Sequence, residues 1–498
     1  MDTPLAEERR PAPAPDFTDL AIYDDVLPSP ASPFRTVEYG HYLDFFPSSV
    51  LVSLEAWHFG FAHAGLGDLR SQLPINERLK RRIIAFDAAR DLVPKLAYIT
   101  FLGNAQRLLP YFEARRIPFI LQLYPGGSFE PNVKASDDHL RNVANSPLCR
   151  KIIATQKLTR DYLLERMGCD PHKIELIYGG VFETRVDFDF SRDKRLYGVH
   201  KDTIDLCFVA HRYGDDMAQK GYDQFVETAR LLASDERLRF HVVGDYTAED
   251  LPLGDAVPRF IFHGTQPNAF FANFYPRMDV IVSANRPSGE QKGPFDGFPT
   301  GACMEAGFRG VLNCIADPLS LNVAFEDGRD ILLVDRNAER TAKRLASLFA
   351  APDRLYELAQ ANWKRFHEVF DVDRQLWART RLIVAELLRE EALVMRPAVA
   401  GAMASSETRT ALADSNRRHD ALLAEYQKLA AGYEAASDEY RKLSVEYRKL
   451  AVGHDELQAS AADRDRALSA DIERLQARRV SRRARSLLHA MLGRKSSR

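Results

Sequence analysis

Two stretches of this sequence hold residue types at spacings that can do chemistry. The first is Gly293-Pro294-Phe295-Asp296-Gly297-Phe298-Pro299-Thr300-Gly301-Ala302-Cys303-Met304-Glu305-Ala306-Gly307. Gly297, Pro299 and Gly301 punctuate a tight loop, and the pattern predicts a helix starting near Thr300. The first turn of a helix carries backbone N–H groups without intrahelical partners, so a glycine-rich approach to it suits a phosphate. Glu305 falls just over one turn inside that helix, where its carboxylate can accept from the two hydroxyls of a ribose diol. The second stretch is Ala210-His211-Arg212-Tyr213-Gly214-Asp215-Asp216-Met217-Ala218-Gln219-Lys220-Gly221-Tyr222-Asp223. Arg212 and Lys220 flank the turn between an apolar run and a helical pattern. Two fixed cations there can stabilise a departing diphosphate as its charge develops, without a metal. Most Arg/Lys pairs are solvated surface charges; the position of this pair at a strand end argues for the functional reading.

These residues need a scaffold, and the apolar periodicity supplies one. Residues 94–101, 117–123, 151–154 and 174–177 read as strands, with a helix over 104–115. After a polar stretch near 190–203 the pattern restarts. Strands are expected at 204–210, 239–244, 259–264, 280–282 and 311–314, with a helix over 223–234. Both halves have the βαβ rhythm of a doubly wound parallel sheet. Two such domains in series predict a ligand cleft between them, at the carboxyl ends of the strands. The second chemical stretch follows the first strand of the second half, so Arg212 and Lys220 would face that cleft. On the first half, Tyr124-Pro125-Gly126-Gly127 follows a strand, and Trp57-His58-Phe59-Gly60-Phe61-Ala62-His63 precedes two glycines. Tyr124, His58 and His63 are therefore the candidates for the side of the cleft opposite the phosphate loop, although a single histidine is more often packed or solvated.

The chain has 498 residues, with 68 Lys+Arg against 70 Asp+Glu. That balance disfavours both a globally basic nucleic-acid binder and a globally acidic protein. Five scattered cysteines with no CxxC pair argue against a disulfide scaffold or a zinc knuckle and fit a reducing cytoplasm. The first residues lack a basic region followed by an apolar stretch, so no signal peptide is expected, and no apolar run is long enough for a membrane span. Residues 1–16 are proline-rich and expected to be disordered. From residue 404 the sequence becomes polar and heptad-periodic. Tyr426, Tyr433, Tyr440 and Tyr447 recur every seven residues, as do Leu429, Ala436, Leu443, Leu450 and Leu457. This predicts a coiled coil over 404–477, serving a homo-oligomer or a partner enzyme. A single long helix packed on the globular body is the simpler alternative. Residues 478–498 hold eight cations and no acid, with Val480, Ala484, Leu487, Leu488, Met491 and Leu492 at helical spacing. A basic amphipathic helix suits an anionic membrane surface, and a solvated basic tail is the plain alternative.

The sequence resembles the retaining nucleotide-sugar glycosyltransferases of group 1, which have two Rossmann-like domains in the GT-B arrangement. Tyr178-Gly179-Gly180-Val181 resembles the family's PNGV turn. Arg212 and Lys220-Gly221 resemble its cationic pair, and Val242-Val243-Gly244 its strand end. His263-Gly264, ahead of Asp279-Val280-Ile281-Val282-Ser283, and the stretch from Asp296 to Ala306 complete the set, across about residues 90–390. The resemblance implies an α/β GT-B fold, with an acceptor domain over 17–190 and a donor domain over 191–395. It implies Glu305 on the donor ribose and Arg212 and Lys220 on the diphosphate. Thr300 and Gly301 would add backbone contacts, with Asp296, Gly297 and Phe298 facing the donor sugar. It further implies a front-face reaction in which the departing phosphate takes the acceptor proton, so no enzyme base is named and neither cofactor nor metal is expected. The last helix would return to the first domain, with Trp377 near the hinge. Two departures stand out: the family's two glutamates lie eight positions apart, but Gly297 stands eight before Glu305 and Asp296 nine before; and Tyr124-Pro125-Gly126-Gly127 stands where the family often has His-Gly. The expected activity is sugar transfer to a glycan or lipid-linked acceptor in cell-surface polysaccharide synthesis, in the cytoplasm or on the inner face of the membrane, without nucleic acid. The alternative is a GT-B scaffold that has lost catalysis and works through its coiled coil. The absence of a GxGxxG fingerprint and of a pyridoxal lysine motif disfavours an epimerase or phosphorylase.

Overall fold

The computed structural model describes residues 18–28, 33–55, 65–212, 216–287 and 293–401. Two parallel sheets organise them. The first holds β1 (Leu20–Asp24), β2 (Ser49–Ser53), β3 (Ile83–Ala85), β4 (Leu96–Thr100), β5 (Phe119–Leu123), β6 (Cys149–Ala154) and β7 (Ile174–Leu176), in the order β3-β2-β1-β4-β5-β6-β7. The second holds β8 (Ile204–Val209), β9 (Leu238–Val243), β10 (Phe260–Gly264), β11 (Val280–Ser283), β12 (Leu312–Ala316) and β13 (Leu332–Val334), in the order β10-β9-β8-β11-β12-β13. The central strands are buried along their whole length, as parallel strands covered by helices on both faces must be, and so read as continuous apolar runs.

In each sheet the chain starts in the middle, builds to one edge, and returns to build to the other. The reversal lies between β1 and β4 in the first sheet and between β8 and β11 in the second. At such a switch point the loops leaving neighbouring strands diverge, which opens a crevice at the carboxyl ends.

The amino ends of β8 and β11 hold the opposite arrangement, a closed set of charges. Lys201 Nζ donates to Asp205 and Asp279 at 2.6 Å each, and Tyr356 donates to Asp279 at 2.9 Å. His241 bonds Asp205 at 2.9 Å and stacks on His263. These groups satisfy one another away from the crevice.

The helix Val372–Gly401 returns to the first sheet. Its Leu382 and Ile383 pack with Tyr39, Tyr42 and Leu43. Arg379, fully buried, donates to Gln122 Oε1 at 2.6 Å, Gln375 Oε1 at 2.7 Å and the Gly179 carbonyl at 3.1 Å. Glu38 lies 3.7 Å from it and accepts from Tyr98 and Gln122. Hydrogen bonds from this helix to the first domain involve Val372, Gln375, Arg379 and Thr380, and Trp377 is half-buried beside them. The strands β1 to β3 have no counterpart in the sequence-based reading, which begins its strands at residue 94. Among the described residues no helix is long and apolar enough to cross a membrane. The expected disordered start, the coiled coil over 404–477 and the basic tail over 478–498 lie outside the described residues.

Candidate active site

A cleft of about 760 Å³ lies between the two sheets, lined by the loops that leave β1, β4, β5 and β6 on one side and β8, β9, β10 and β11 on the other. Both switch points therefore open into the same space. That coincidence makes the cleft the candidate site.

Lys220 reaches it because of its neighbour. Gly221 has φ +82, and a Cβ there would sit 2.5 Å from the Ala284 backbone. Only glycine lets the start of the helix Tyr222–Leu231 close on the end of β11. Lys220 Nζ then lies 2.6 and 2.8 Å from the two carboxylate oxygens of Asp296. Asn285, whose own carbonyl accepts from Ser283 at 2.8 Å, donates to Asp296 at 2.5 Å. Asp296 is thereby held by one cation and one amide, and Lys220 points at the space its loop encloses.

Thr300 stands at the N-cap position of the helix Gly301–Gly307, without a capping bond from its side chain, and the helix starts at the cleft as the spacing predicts. This helix has only two turns, so its dipole is a minor contributor beside Lys220. Gly301 is exposed, and a Cβ there would meet only the Phe182 ring, at 3.9 Å. Glu305 lines the cleft and is half-buried. Burial raises its carboxyl above the usual range, and the Arg309 charge opposes that shift.

The structure brings Lys220, Asp296, Gly297, Thr300, Gly301, Glu305 and Tyr124 to the cleft lining. Phe298 turns its side chain into the core, leaving its backbone toward the first domain. Arg212 is not in the lining: its guanidinium bonds Asp250 at 3.0 Å, and the wall there is made by His211. His58 and His63 lie outside the described residues. Several lining residues carry no sequence signal. Arg286 joins the lining beside Asp296 and pairs with Asp216 at 2.9 Å. Arg35 stacks over Phe34 and Phe101 at 5.3 and 4.9 Å and pairs with Asp24 at 3.1 Å. Phe34, Phe101 and Tyr124 make an aromatic wall on the first-domain side, and burial raises the Tyr124 phenol. Among the described residues no group of three or more His, Cys, Asp or Glu is placed to hold a metal ion.

Chemically, the second-domain side offers cations, a helix start and a half-buried carboxylate. The first-domain side offers aromatic faces. An anionic ligand with a diol fits the former and a ring or chain with an apolar face fits the latter.

No family model matches the chain, and no curated relative does. Solved structures do. A glycosyltransferase from Rickettsia africae is similar at 15% identity and TM-score 0.54, over 75% of this chain and 99% of that one. Anabaena Alr3699/HepE in complex with UDP and glucose is similar at 15% identity and TM-score 0.53, over 74% and 100%. Sucrose-phosphate synthase from Thermosynechococcus elongatus is similar at 14% identity and TM-score 0.52, over 73% and 98%. At these identities the likeness is one of fold: the two parallel-sheet α/β domains fit the GT-B arrangement.

Proposed function

We propose that this chain is a nucleotide-sugar-dependent glycosyltransferase. The observation that carries the reading is the convergence of Lys220, Asp296, the start of the helix Gly301–Gly307 and Glu305 on one cleft, where the switch points of two sheets meet. The likeness to HepE, solved with UDP and glucose, supports a nucleotide sugar as the ligand.

In this reading Glu305 accepts from the ribose hydroxyls. Lys220 and the backbone at Thr300 and Gly301 hold the diphosphate. Arg286 supplies the second cation in the cleft, while Asp250 keeps Arg212 in reserve at its edge. Asp296 and Gly297 face the sugar. With retention, the bond from the anomeric carbon to the diphosphate oxygen breaks and the acceptor oxygen bonds to the same face. The acceptor proton passes to the departing phosphate oxygen. The cations stabilise the charge that develops on that oxygen, which is the differential term catalysis needs, and no divalent ion is required. The acceptor, a glycan or a lipid-linked glycan of cell-surface polysaccharide synthesis, lies against Tyr124, Phe34 and Phe101, with His58 and His63 as further contacts. The coiled coil joins copies or a partner enzyme, and the basic tail adds affinity for the anionic inner face of a membrane.

The test is thermal stabilisation by UDP-, GDP-, ADP- and dTDP-sugars of the intact chain, Glu305→Ala and Gly301→Ala. One class is expected to stabilise the intact chain, by about 2.7 kcal/mol at 100 times its dissociation constant. Glu305→Ala should lose most of that response. Gly301→Ala, whose Cβ would meet only the Phe182 ring at 3.9 Å, should fold normally and respond less. If no class stabilises the intact chain, the catalytic reading fails and the scaffold reading replaces it.

A further inference from the structure

We infer that Gln156, on the first domain, is a positioning residue that sets the donor-side loop of the second domain, and that the sugar-dependent part of donor binding passes through it. The inference rests on the nucleotide-sugar reading of the cleft.

Gln156 stands between β6 and the helix Lys157–Glu165, at the N-cap of that helix. Side chains at this position commonly accept from the first turn of their own helix. The Gln156 side chain makes no such bond. It is 3% exposed and its amide crosses to the second domain. There Nε2 donates to the Phe298 carbonyl and Oε1 accepts from the Phe298 N–H, each at 3.4 Å. A primary amide carries one donor edge and one acceptor edge, so it matches both polar groups of a residue's backbone at once. Both contacts sit at the long end of the hydrogen-bond range.

The same loop meets the first domain twice more. The Gly293 N–H donates to the Pro131 carbonyl at 3.0 Å, and Phe295 packs edge-on against Phe129 with centroids 5.9 Å apart. Gly297 leaves room for the clamp, since a Cβ there would lie 3.1 Å from Gln156 Nε2. Asp296, between Phe295 and Gly297, faces the other way, toward Lys220 and Asn285. One short loop is therefore held on one side by the first domain and on the other by the residues proposed to meet diphosphate and sugar. Loosening the first-domain hold leaves Lys220 and Glu305 in place but lets Asp296 drift. The nucleotide should then bind as before while the sugar loses its contact.

The experiment is calorimetric titration of the full chain with a nucleotide diphosphate and its sugar, using the pair that stabilises best among UDP/UDP-glucose, GDP/GDP-mannose, ADP/ADP-glucose and dTDP/dTDP-glucose. The quantity read is the ratio of the two dissociation constants. Gln156→Met keeps the buried volume and removes both hydrogen bonds. It should cut the ratio about fivefold, the size expected of one to two modest hydrogen bonds, while nucleotide affinity stays within about twofold. Gln156→Glu keeps the acceptor and loses the donor when ionised. Its ratio should be low at pH 8 and recover toward pH 5, as the buried carboxyl takes up a proton and can donate again to Phe298. A merely structural role would not produce that recovery relative to wild type at each pH. A wild-type ratio in Gln156→Met, or a Gln156→Glu profile parallel to wild type, overturns the inference while the nucleotide-sugar reading stands. A wild-type chain that binds none of the nucleotides overturns both.

Discussion

At the scale of single residues, Glu305 is the test of how the cleft uses charge. Burial raises its carboxyl above the value it would have in the unfolded chain. A raised carboxyl contributes stability below the ordinary carboxylate range and loses it as pH rises through the folded value. The ionised group at neutral pH therefore weakens the empty protein. Glu305→Gln is expected to melt above wild type at pH 7.5, with the gap closing as pH falls to 4, as read by calorimetry across that range. A variant that melts below wild type at every pH would show that Glu305 is instead paid for by contacts within the fold. Nucleotide binding should move the other way, weakening as pH drops and the carboxylate loses acceptor capacity. Glu305 was legible because glycine and proline spacing marks a loop and helix start, Lys220 because it sits with Arg212 at a strand end, and Asp296 only through the family resemblance. Gln156 was not: it is uncharged, belongs to no motif, and meets Phe298 across 142 positions of sequence. Arg212 was legible as a strand-end cation, but its direction was settled by Asp250, which no local pattern announces.

At the scale of elements, the strands that read most clearly are those buried on both faces. β5, β8, β9 and β11 are apolar runs ended by glycine or polar turns, so their type follows from their composition. β1 follows a proline-rich stretch, β2 is bounded by serines, and β3 has three residues. Each is too short or too poorly framed to stand out, and only pairing in the sheet fixes it. The helix Val372–Gly401 shows the same division. Its return to the first domain is what the family resemblance implies, but its attachment depends on Arg379 meeting Glu38, Gln122 and Gly179, three groups far away in sequence. Charges read from sequence default to the surface, and these two are fully buried. Breaking a buried pair leaves an uncompensated charge and costs about 3–5 kcal/mol. Arg379→Met is therefore expected to destabilise the chain by that much in denaturant melts, with Glu38→Gln added to Arg379→Met recovering part of the loss. A loss under about 1 kcal/mol would mean that the helix is held by Leu382 and Ile383 instead.

At the scale of the whole molecule, the cleft follows from placing two doubly wound units in one chain, which the repeated βαβ rhythm makes readable. The crossing of the 293–299 loop between them does not, because it depends on tertiary fit at Pro131, Phe129 and Gln156. The most distant prediction concerns residues 478–498, whose eight cations and regularly spaced apolar residues suit an anionic surface. Each cation near such a surface adds about 1 kcal/mol before screening, so a few engaged together give measurable attachment. The attraction falls off within about 10 Å at 0.1 M salt and over shorter distances at higher salt, so the attachment should weaken steeply as salt rises. In co-sedimentation with vesicles containing phosphatidylserine, the full chain should bind at low salt and release as salt increases. The chain lacking residues 478–498 should stay in the supernatant, with an unchanged response to the nucleotide sugar. Equal binding by both chains would remove the membrane role and leave the tail as a solvated end. Loss of the nucleotide response along with the tail would instead tie the tail to the cleft, which its charge alone does not predict.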